Sequence, residues 1–189
     1  MTLLARLRTE TRAAHLALED DLAFGPGTIS LARYEDLLAT FLGLHEPLER
    51  AVAAAIAEHG LHWELLPGTA NLRSDLSGLG WSPERISAVP RTAPPDVSTL
   101  PALVGALYVV EGARLGGQVI TRWVADVLGP VPVAFFGGDG DARRRFRRFG
   151  VMAEAALPAA GAAAACEAAN ACFAVFRSGH RDRVQPAGH

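Results

Sequence analysis

The residues best suited to chemistry in this sequence lie around His15, near the N-terminus. Glu19 follows it by four positions, so on a helix its carboxylate lies one turn from the imidazole and can orient the ring, as carboxylates do for metal-bound histidines. Arg8 and Arg12 precede His15 on the same segment and suit the carboxylates of a ligand. On these residues alone, His15 is either a structural histidine bonded to a carbonyl or a water molecule, or a metal ligand.

A second unusual stretch covers residues 108–120, YVVEGARLGGQVI, inside an otherwise helical apolar pattern. Gly112, Gly116 and Gly117 interrupt it, and each mid-helix glycine costs roughly 0.5–1 kcal/mol relative to alanine. Gly112 and Gly116 are four positions apart and share one face. A flat, bulky partner could therefore rest against bare backbone there, and the helix could bend. Close packing of a second helix is the alternative.

The elements that must position these residues are helices. Periodic apolar positions and capping residues predict long helices over residues 2–21, 30–58, 98–128, 141–157 and 159–180, with short helical pieces over residues 63–87. Pro47 should kink or break the second helix, and residues 131–140 are expected to form a loop. No segment of useful length alternates polar and apolar residues. The predicted fold is therefore all-α, a compact single-domain multi-helix array over residues 1–189, with about the last eight residues flexible.

Composition argues against several classes of protein. Half of the 189 residues are apolar, a fifth are charged and the formal net charge is -2, which gives no signal for nucleic acid. The sequence contains no run of about 18 apolar residues, so no transmembrane helix is predicted. Charged residues appear too soon after the N-terminus for the apolar core of a secretory signal. We therefore predict a cytoplasmic protein with no membrane partner. Cys166 and Cys172 lie on different faces of a helix, so neither a local disulfide nor a metal pair is predicted.

A histidine on the first helix and a glycine-opened helix much later in the chain predict a cofactor held between two helices. Heme fits this pattern, because its iron takes an axial imidazole and its flat apolar face suits bare backbone. Its propionates suit the arginines that precede His15.

Two stretches resemble the biliverdin-producing heme oxygenases, in particular the bacterial branch associated with phytochromes. Residues 7–19, LRTETRAAHLALE, resemble the family's proximal helix, with threonine, histidine and glutamate each separated by three residues. Residues 108–120 resemble its distal helix. The intervening helices are similar in length and apolar content, so the resemblance covers most of the chain and implies the fold of that family.

The resemblance also implies a role for each matching residue. It makes His15 the iron ligand and Glu19 its orienting partner. The residues that would line the heme face are Gly112, Gly116 and Gly117. The residues that would contact the propionates are Arg8, Arg12, Tyr108 and Arg177.

One position departs from the family pattern. Animal-type members carry an aspartate directly after the first distal glycine, where it anchors water, and this sequence has Ala113. His45 on the second helix or Arg114 could replace that aspartate. In the alternative interpretation, His45 only bonds a carbonyl before Pro47, and Arg114 faces solvent.

The activity implied is oxidation of heme, which is both substrate and cofactor, by O2 and reducing equivalents to biliverdin, CO and iron. The implied partners are an electron donor such as a ferredoxin or a reductase and, for the product, a bacteriophytochrome. The arginines within residues 143–148 form either a solvated face or a docking patch for an acidic donor.

Two other functions are compatible with parts of the sequence. A heme carrier or store without turnover explains His15 equally well but explains the glycine bend less well. A thiamin-degrading enzyme of the same fold needs a cysteine nucleophile with acidic partners, and Cys166 and Cys172 have no carboxylate at helical spacing beyond Glu167.

Overall fold

The computed structural model describes residues 1–138 and 140–184, which form eight α-helices, one short 3₁₀ turn and no strand. The helices are α1 (Leu3–Leu22), α2 (Leu31–Glu58), α3 (Gly68–Gly78), α4 (Pro83–Ser87), α5 (Leu100–Leu128), α6 (Ala134–Gly137), α7 (Ala142–Ala156) and α8 (Ala162–Val184). The predicted all-α class is confirmed.

Side-chain caps fix where the long helices begin. The hydroxyls of Thr2, Ser30 and Thr99 accept hydrogen bonds from backbone N–H groups in the first turns of α1, α2 and α5. Pro101 lies in the first turn of α5, where the N–H that it lacks would have no helical partner. Helix α1 ends at Ala23, which adopts the left-handed conformation with φ of 44°.

Helices α5 and α8 cross in close backbone contact at Gly105. A Cβ at Gly105 would lie 2.4 Å from the carbonyl oxygen of Ala165 and 2.9 Å from the backbone nitrogen of Ala169. Only glycine allows the two helices to approach this closely. Helix α2 packs its buried face on both of them, and its fully buried large side chains are Tyr34, Leu38, Leu42, Leu48 and Val52.

Helices α1 and α5 both lie against α8 and run in the same direction as it does. Neighbouring pairs along α1 and α8 are Glu10 with Asn170, His15 with Phe173, and Asp21 with Arg177. Along α5, Pro101 lies next to Gly161 in the 3₁₀ turn that leads into α8, and Gly105 lies next to Ala165 in α8 itself. Because residue numbers rise together in both sets, the three helices are parallel.

The structure differs from the sequence predictions in three elements. The expected loop over residues 131–140 contains α6, and a four-residue helix is too short to show a hydrophobic period. Helix α2 continues through Pro47, which excludes the break that was one of the two alternatives predicted there. Helix α8 extends past residue 180 to residue 184, so the predicted flexible end is partly helical, and residues 185–189 lie outside the described part of the chain.

Two segments, Leu100–Leu128 and Ala159–Arg181, are long and apolar enough to cross a membrane by length and composition. Half of the most apolar 18-residue window in the first segment, and 39% of that in the second, is buried inside the fold. The two segments also cross each other in close contact at Gly105, so we interpret them as core helices.

Candidate functional site

His15 is presented by α1 with about half of its side chain, 52%, exposed. Its Nδ1 lies 3.6 Å from Oε2 of Glu19, one turn later, and the edge of Phe173 on α8 supports the ring at a centroid distance of 5.6 Å. A carboxylate on the Nδ1 side leaves Nε2 as the nitrogen available to a metal.

The glycines of α5 are of two kinds. Apart from the helix's own backbone, no heavy atom of the described residues lies within 4 Å of the point where a Cβ would stand at Gly116. At Gly112 one atom does, the Cε2 of Phe146 at 3.9 Å. At Gly117 a Cβ would lie 2.8 Å from the carbonyl oxygen of Phe136, so this glycine serves the packing of α6 on α5. The predicted cofactor face therefore consists of Gly112 and Gly116, and Gly117 is not part of it.

Helices α1 and α5 come together at two hydroxyls, because the side-chain oxygens of Thr11 and Tyr108 are 3.5 Å apart. His15 lies one turn beyond Thr11 on α1, and Gly112 lies one turn beyond Tyr108 on α5. Since the two helices run in the same direction, the exposed imidazole and the bare glycine face lie on the same side of this contact.

The predicted propionate contacts fall into two groups. Arg8 and Arg12 are exposed on α1 and have no ion-pair partner among the described residues. Arg177 instead donates a hydrogen bond to Oδ2 of Asp21 at 2.7 Å, which ties the end of α1 to α8 and holds the pKa of Asp21 below its usual value. Arg177 is therefore already paired with Asp21, whereas Arg8 and Arg12 are available to bind the carboxylates of a ligand.

His45 is buried in the core, with 3% of its surface exposed, among the rings of Phe41, Phe135 and Phe176. Its Nε2 has no hydrogen-bond partner among the described residues. Burial, assisted by the positive charge of Arg114, lowers the pKa of His45 to about 3. The imidazole is therefore neutral at physiological pH, with an unsatisfied polar atom that favours a water or ligand contact.

Arg114 lies away from the glycine face. At 3.6 residues per turn it is about 200° around α5 from Gly112. It donates a hydrogen bond to the carbonyl oxygen of Leu66 at 2.9 Å, between α2 and α3. The structure thus brings Arg114 near His45 but not onto the surface that faces His15.

An ion pair beside the glycine face was not predicted from the sequence. Glu111, which precedes Gly112, is 1% exposed and is bonded by Arg145 of α7 at 2.7 Å. The interpretation of residues 143–148 as a wholly exposed face is therefore wrong at Arg145, whose side chain is only 14% exposed. The sequence signal that was available is the spacing of Arg145 from Phe146 and Phe149, which puts it on the apolar side of α7.

These residue types fit heme as the ligand between α1 and α5. An exposed imidazole oriented by a carboxylate provides an axial nitrogen. A face without Cβ atoms gives a flat macrocycle room to lie against the helix, and the arginines of α1 provide cations for carboxylates.

This chain is similar in sequence to known heme oxygenases. The family model for heme oxygenase matches residues 1–182. A heme oxygenase of Xanthomonas campestris pv. campestris (strain 8004) is 32% identical over 151 residues, which cover 78% of this chain and 84% of that protein.

Solved structures share the fold at lower identity. A heme oxygenase from Leptospira interrogans superposes with a TM-score of 0.76 at 18% identity, covering 96% of this chain and all of that one. The NO- and CO-bound enzyme from Neisseria meningitidis gives 0.69 at 18% identity, over 97% of this chain and 92% of the other. A Synechocystis sp. PCC6803 heme oxygenase in complex with heme gives 0.68 at 19% identity, over 96% and 92%. The family model and the Xanthomonas relative together show that the chain belongs to the heme oxygenase family.

Proposed function

We propose that this protein is a heme oxygenase that cleaves heme to biliverdin, CO and iron at the expense of O2 and reducing equivalents, in a single domain spanning residues 1–189. The observation that carries this proposal is the arrangement of His15 with its Nδ1 toward Glu19, on the same side of the α1–α5 contact as the bare face of Gly112 and Gly116.

In this proposal His15 binds the iron through Nε2, and Glu19 fixes the ring from the Nδ1 side. Arg8 and Arg12 would bind the propionates through charge-assisted hydrogen bonds, and the Tyr108 hydroxyl, which lies 3.5 Å from that of Thr11, is proposed as a further propionate contact. When bound, heme supplies the iron that activates O2 and is itself the molecule that is cleaved. The protein would bind and orient the heme and keep side chains away from one of its faces.

His45 is proposed to hold water on the Arg114 side of α5, in place of the aspartate that animal-type members carry at the position of Ala113. Its Nε2 is the unsatisfied atom, and a neutral imidazole can either donate or accept a hydrogen bond there. Because its pKa is lowered to about 3, it acts through a hydrogen bond and not as an imidazolium acid. Arg114 contributes a positive charge near this ring and not a contact to the heme.

We infer a cytoplasmic enzyme of the phytochrome-associated bacterial branch, whose biliverdin supplies a bacteriophytochrome. Electrons come from an acidic protein donor such as a ferredoxin or a reductase. The exposed arginines of α7 support this donor class, since Arg144, Arg147 and Arg148 border a groove of about 430 Å³ with Val151 and Met152.

Titration with hemin tests the proposal directly. The wild-type protein should give a Soret band of a histidine-ligated heme, and His15→Ala should change that band or abolish it. His62→Ala, which removes an exposed histidine, is the matched control and should leave it unchanged.

A reductant added under air then separates enzyme from carrier. The proposal predicts conversion of the Soret band to a biliverdin absorption. A heme complex that is reduced but stays intact would identify a carrier or store, and would overturn the assignment of turnover.

A further inference from the structure

A buried polar network adjoins the glycine face on the side of α7. The carboxylate of Glu111 accepts hydrogen bonds from Nε1 of Trp63 at 3.0 Å and from Nε and Nη2 of Arg145, each at 2.7 Å. Arg145 also donates to the carbonyl oxygen of Glu64 at 2.6 Å, and its guanidinium lies 4.6 Å from the centre of the Trp63 ring. We call Glu111, Arg145 and Trp63 the distal clamp.

The distal clamp acts on the turn of α5 that carries the first bare glycine. Glu111 is the residue before Gly112, and Phe146, the residue after Arg145, makes the 3.9 Å approach to the Gly112 Cβ position. Of two successive residues of α7, Arg145 therefore binds Glu111 through a charge pair, and Phe146 places its ring beside the next residue of α5, Gly112.

Stability alone is a weak reason for such a pair. Desolvating a glutamate and an arginine is costly, and well-packed apolar residues of similar volume often stabilise a fold as much or more. A bidentate charge pair, unlike apolar packing, fixes the relative geometry of the two side chains that form it. Here it fixes a helix whose glycines leave its backbone less constrained than a run of alanine would.

The same combination of residues occurs a second time, away from α5. Glu35 accepts a hydrogen bond from Nε1 of Trp81 at 2.8 Å, and Arg85 lies 3.7 Å from the Glu35 carboxylate and 3.4 Å from the centre of the Trp81 ring. This second network joins α2 to α4, its glutamate side chain is 19% exposed, and it contacts no glycine of α5. The second network therefore provides a control, in which the same residue types interact away from the proposed heme face.

We propose that Glu111 and Arg145 are positioning residues for the heme face of α5, holding the Gly112 backbone at a fixed height over the macrocycle. This inference rests on the proposed function. A displaced Gly112 would leave heme binding through His15 intact, and would relax the choice of the carbon at which the ring is opened.

Three variants test the proposal, each compared with the wild type. Glu111→Gln keeps an acceptor for Trp63 and removes the charge, Trp63→Phe keeps the ring under Arg145 and removes one donor, and Glu35→Gln makes the same change in the second network. In the heme-free proteins, hydrogen exchange over residues 110–118 should be about tenfold faster in Glu111→Gln, the factor that corresponds to about 1.4 kcal/mol of lost local stability. Trp63→Phe should give a smaller increase, and Glu35→Gln none in that segment.

With hemin bound, Glu111→Gln should shift the absorption and magnetic resonance spectra of the ferric complex and give a mixture of biliverdin isomers, whereas Glu35→Gln should match the wild type. Wild-type exchange, spectra and isomer composition in Glu111→Gln, with only a lowered melting temperature, would overturn the proposal. If Glu111→Gln does not fold, unchanged exchange and isomers in Trp63→Phe would overturn it. A wild-type protein that binds hemin without cleaving it would refute the proposed function, and the heme-free exchange experiment would still decide whether the distal clamp holds Gly112.

Discussion

Gly116 and Gly117 are neighbours in the sequence with opposite physical roles, which predicts opposite effects of alanine. Gly116→Ala should stabilise the heme-free protein by about 0.5–1 kcal/mol, because an alanine replaces a mid-helix glycine in open space. It should also weaken hemin binding, because the methyl group would stand on the face proposed for the macrocycle. Gly117→Ala should destabilise the protein by about 1–3 kcal/mol, because its methyl would lie 2.8 Å from a backbone oxygen.

Urea unfolding and hemin titration of both variants check this prediction. The hemin affinity of folded Gly117→Ala should remain near that of the wild type, which makes it the control for Gly116→Ala. An unchanged hemin affinity in Gly116→Ala would contradict the placement of the heme on this face.

His45 predicts a dependence of stability on pH. The folded protein binds no proton at this imidazole above about pH 3, whereas the unfolded chain binds one below its ordinary pKa of 6.5. Acidification below pH 6.5 therefore favours the unfolded state, and this one group should cost about 1.4 kcal/mol by pH 5.5.

His45→Phe removes that titration and the unsatisfied nitrogen from a site already lined by rings. We expect the variant to lose less stability than the wild type between pH 7 and pH 5.5, as measured by urea unfolding at each pH. Biliverdin formation should be slower at nearly normal hemin affinity. Equal acid sensitivity in the two proteins would show that His45 is protonated in the folded state, and unchanged single-turnover rates would remove it from the mechanism.

At the scale of the elements, the sequence predicts what is set locally. Caps at Thr2 and Ser30 and the apolar period place α1 and α2 within a few residues of their observed ends, and the apolar period alone does so for α5. Contacts between distant segments have no such local signal. Helix α6 is held by the carboxylate of Asp75, which accepts hydrogen bonds from the backbone nitrogens of Ala134 and Phe135 at 2.7 and 2.9 Å.

The candidate site divides in the same way. His15 and Glu19 are one turn apart on one helix, so their relation could be inferred from spacing alone. The Glu111–Arg145 pair joins residues that are 34 positions apart. The spacing to Phe149 puts Arg145 on the apolar side of α7, but no local pattern identifies Glu111 as its partner. The orientation of Arg114 toward Leu66 likewise depends on how the segment between α2 and α3 folds back.

Asp75 gives a prediction at this scale, because α6 is the element that contacts both Gly117 and His45. Asp75→Ala should destabilise the protein by about 1–3 kcal/mol, since it leaves the N–H groups of Ala134 and of the buried Phe135 without their acceptor. Asp96→Ala is the matched control, because Asp96 also accepts from a backbone nitrogen, that of Ser98 at 2.8 Å, but at an exposed site.

Thermal or urea unfolding measures both losses. The Asp96→Ala loss should be smaller, within about 1 kcal/mol. Equal losses in the two variants would mean that the Asp75 hydrogen bonds contribute no more stability than that of an exposed turn.

For the whole molecule, the distribution of charge matters more than its sum. The formal net charge is -2, yet α7 displays Arg143, Arg144, Arg147 and Arg148 on one exposed face. An acidic protein donor would be attracted to that face despite the net negative charge, because steering depends on the local field. The field is screened by salt, with a Debye length of about 8 Å at physiological ionic strength.

Turnover driven by an acidic protein donor should therefore fall by about tenfold or more between low and high salt, while turnover driven by a small neutral reductant should change little. The double variant Arg147→Glu/Arg148→Glu should give a similar loss at low salt and a flatter salt dependence. Arg50→Glu/Arg122→Glu alters the net charge equally but lies on α2 and α5, so it separates local docking from overall charge. If both double variants slow the donor-driven reaction alike, net charge and not the α7 face controls the encounter. If neither does, the donor docks elsewhere, and the exposed arginines of α7 are a solvated surface.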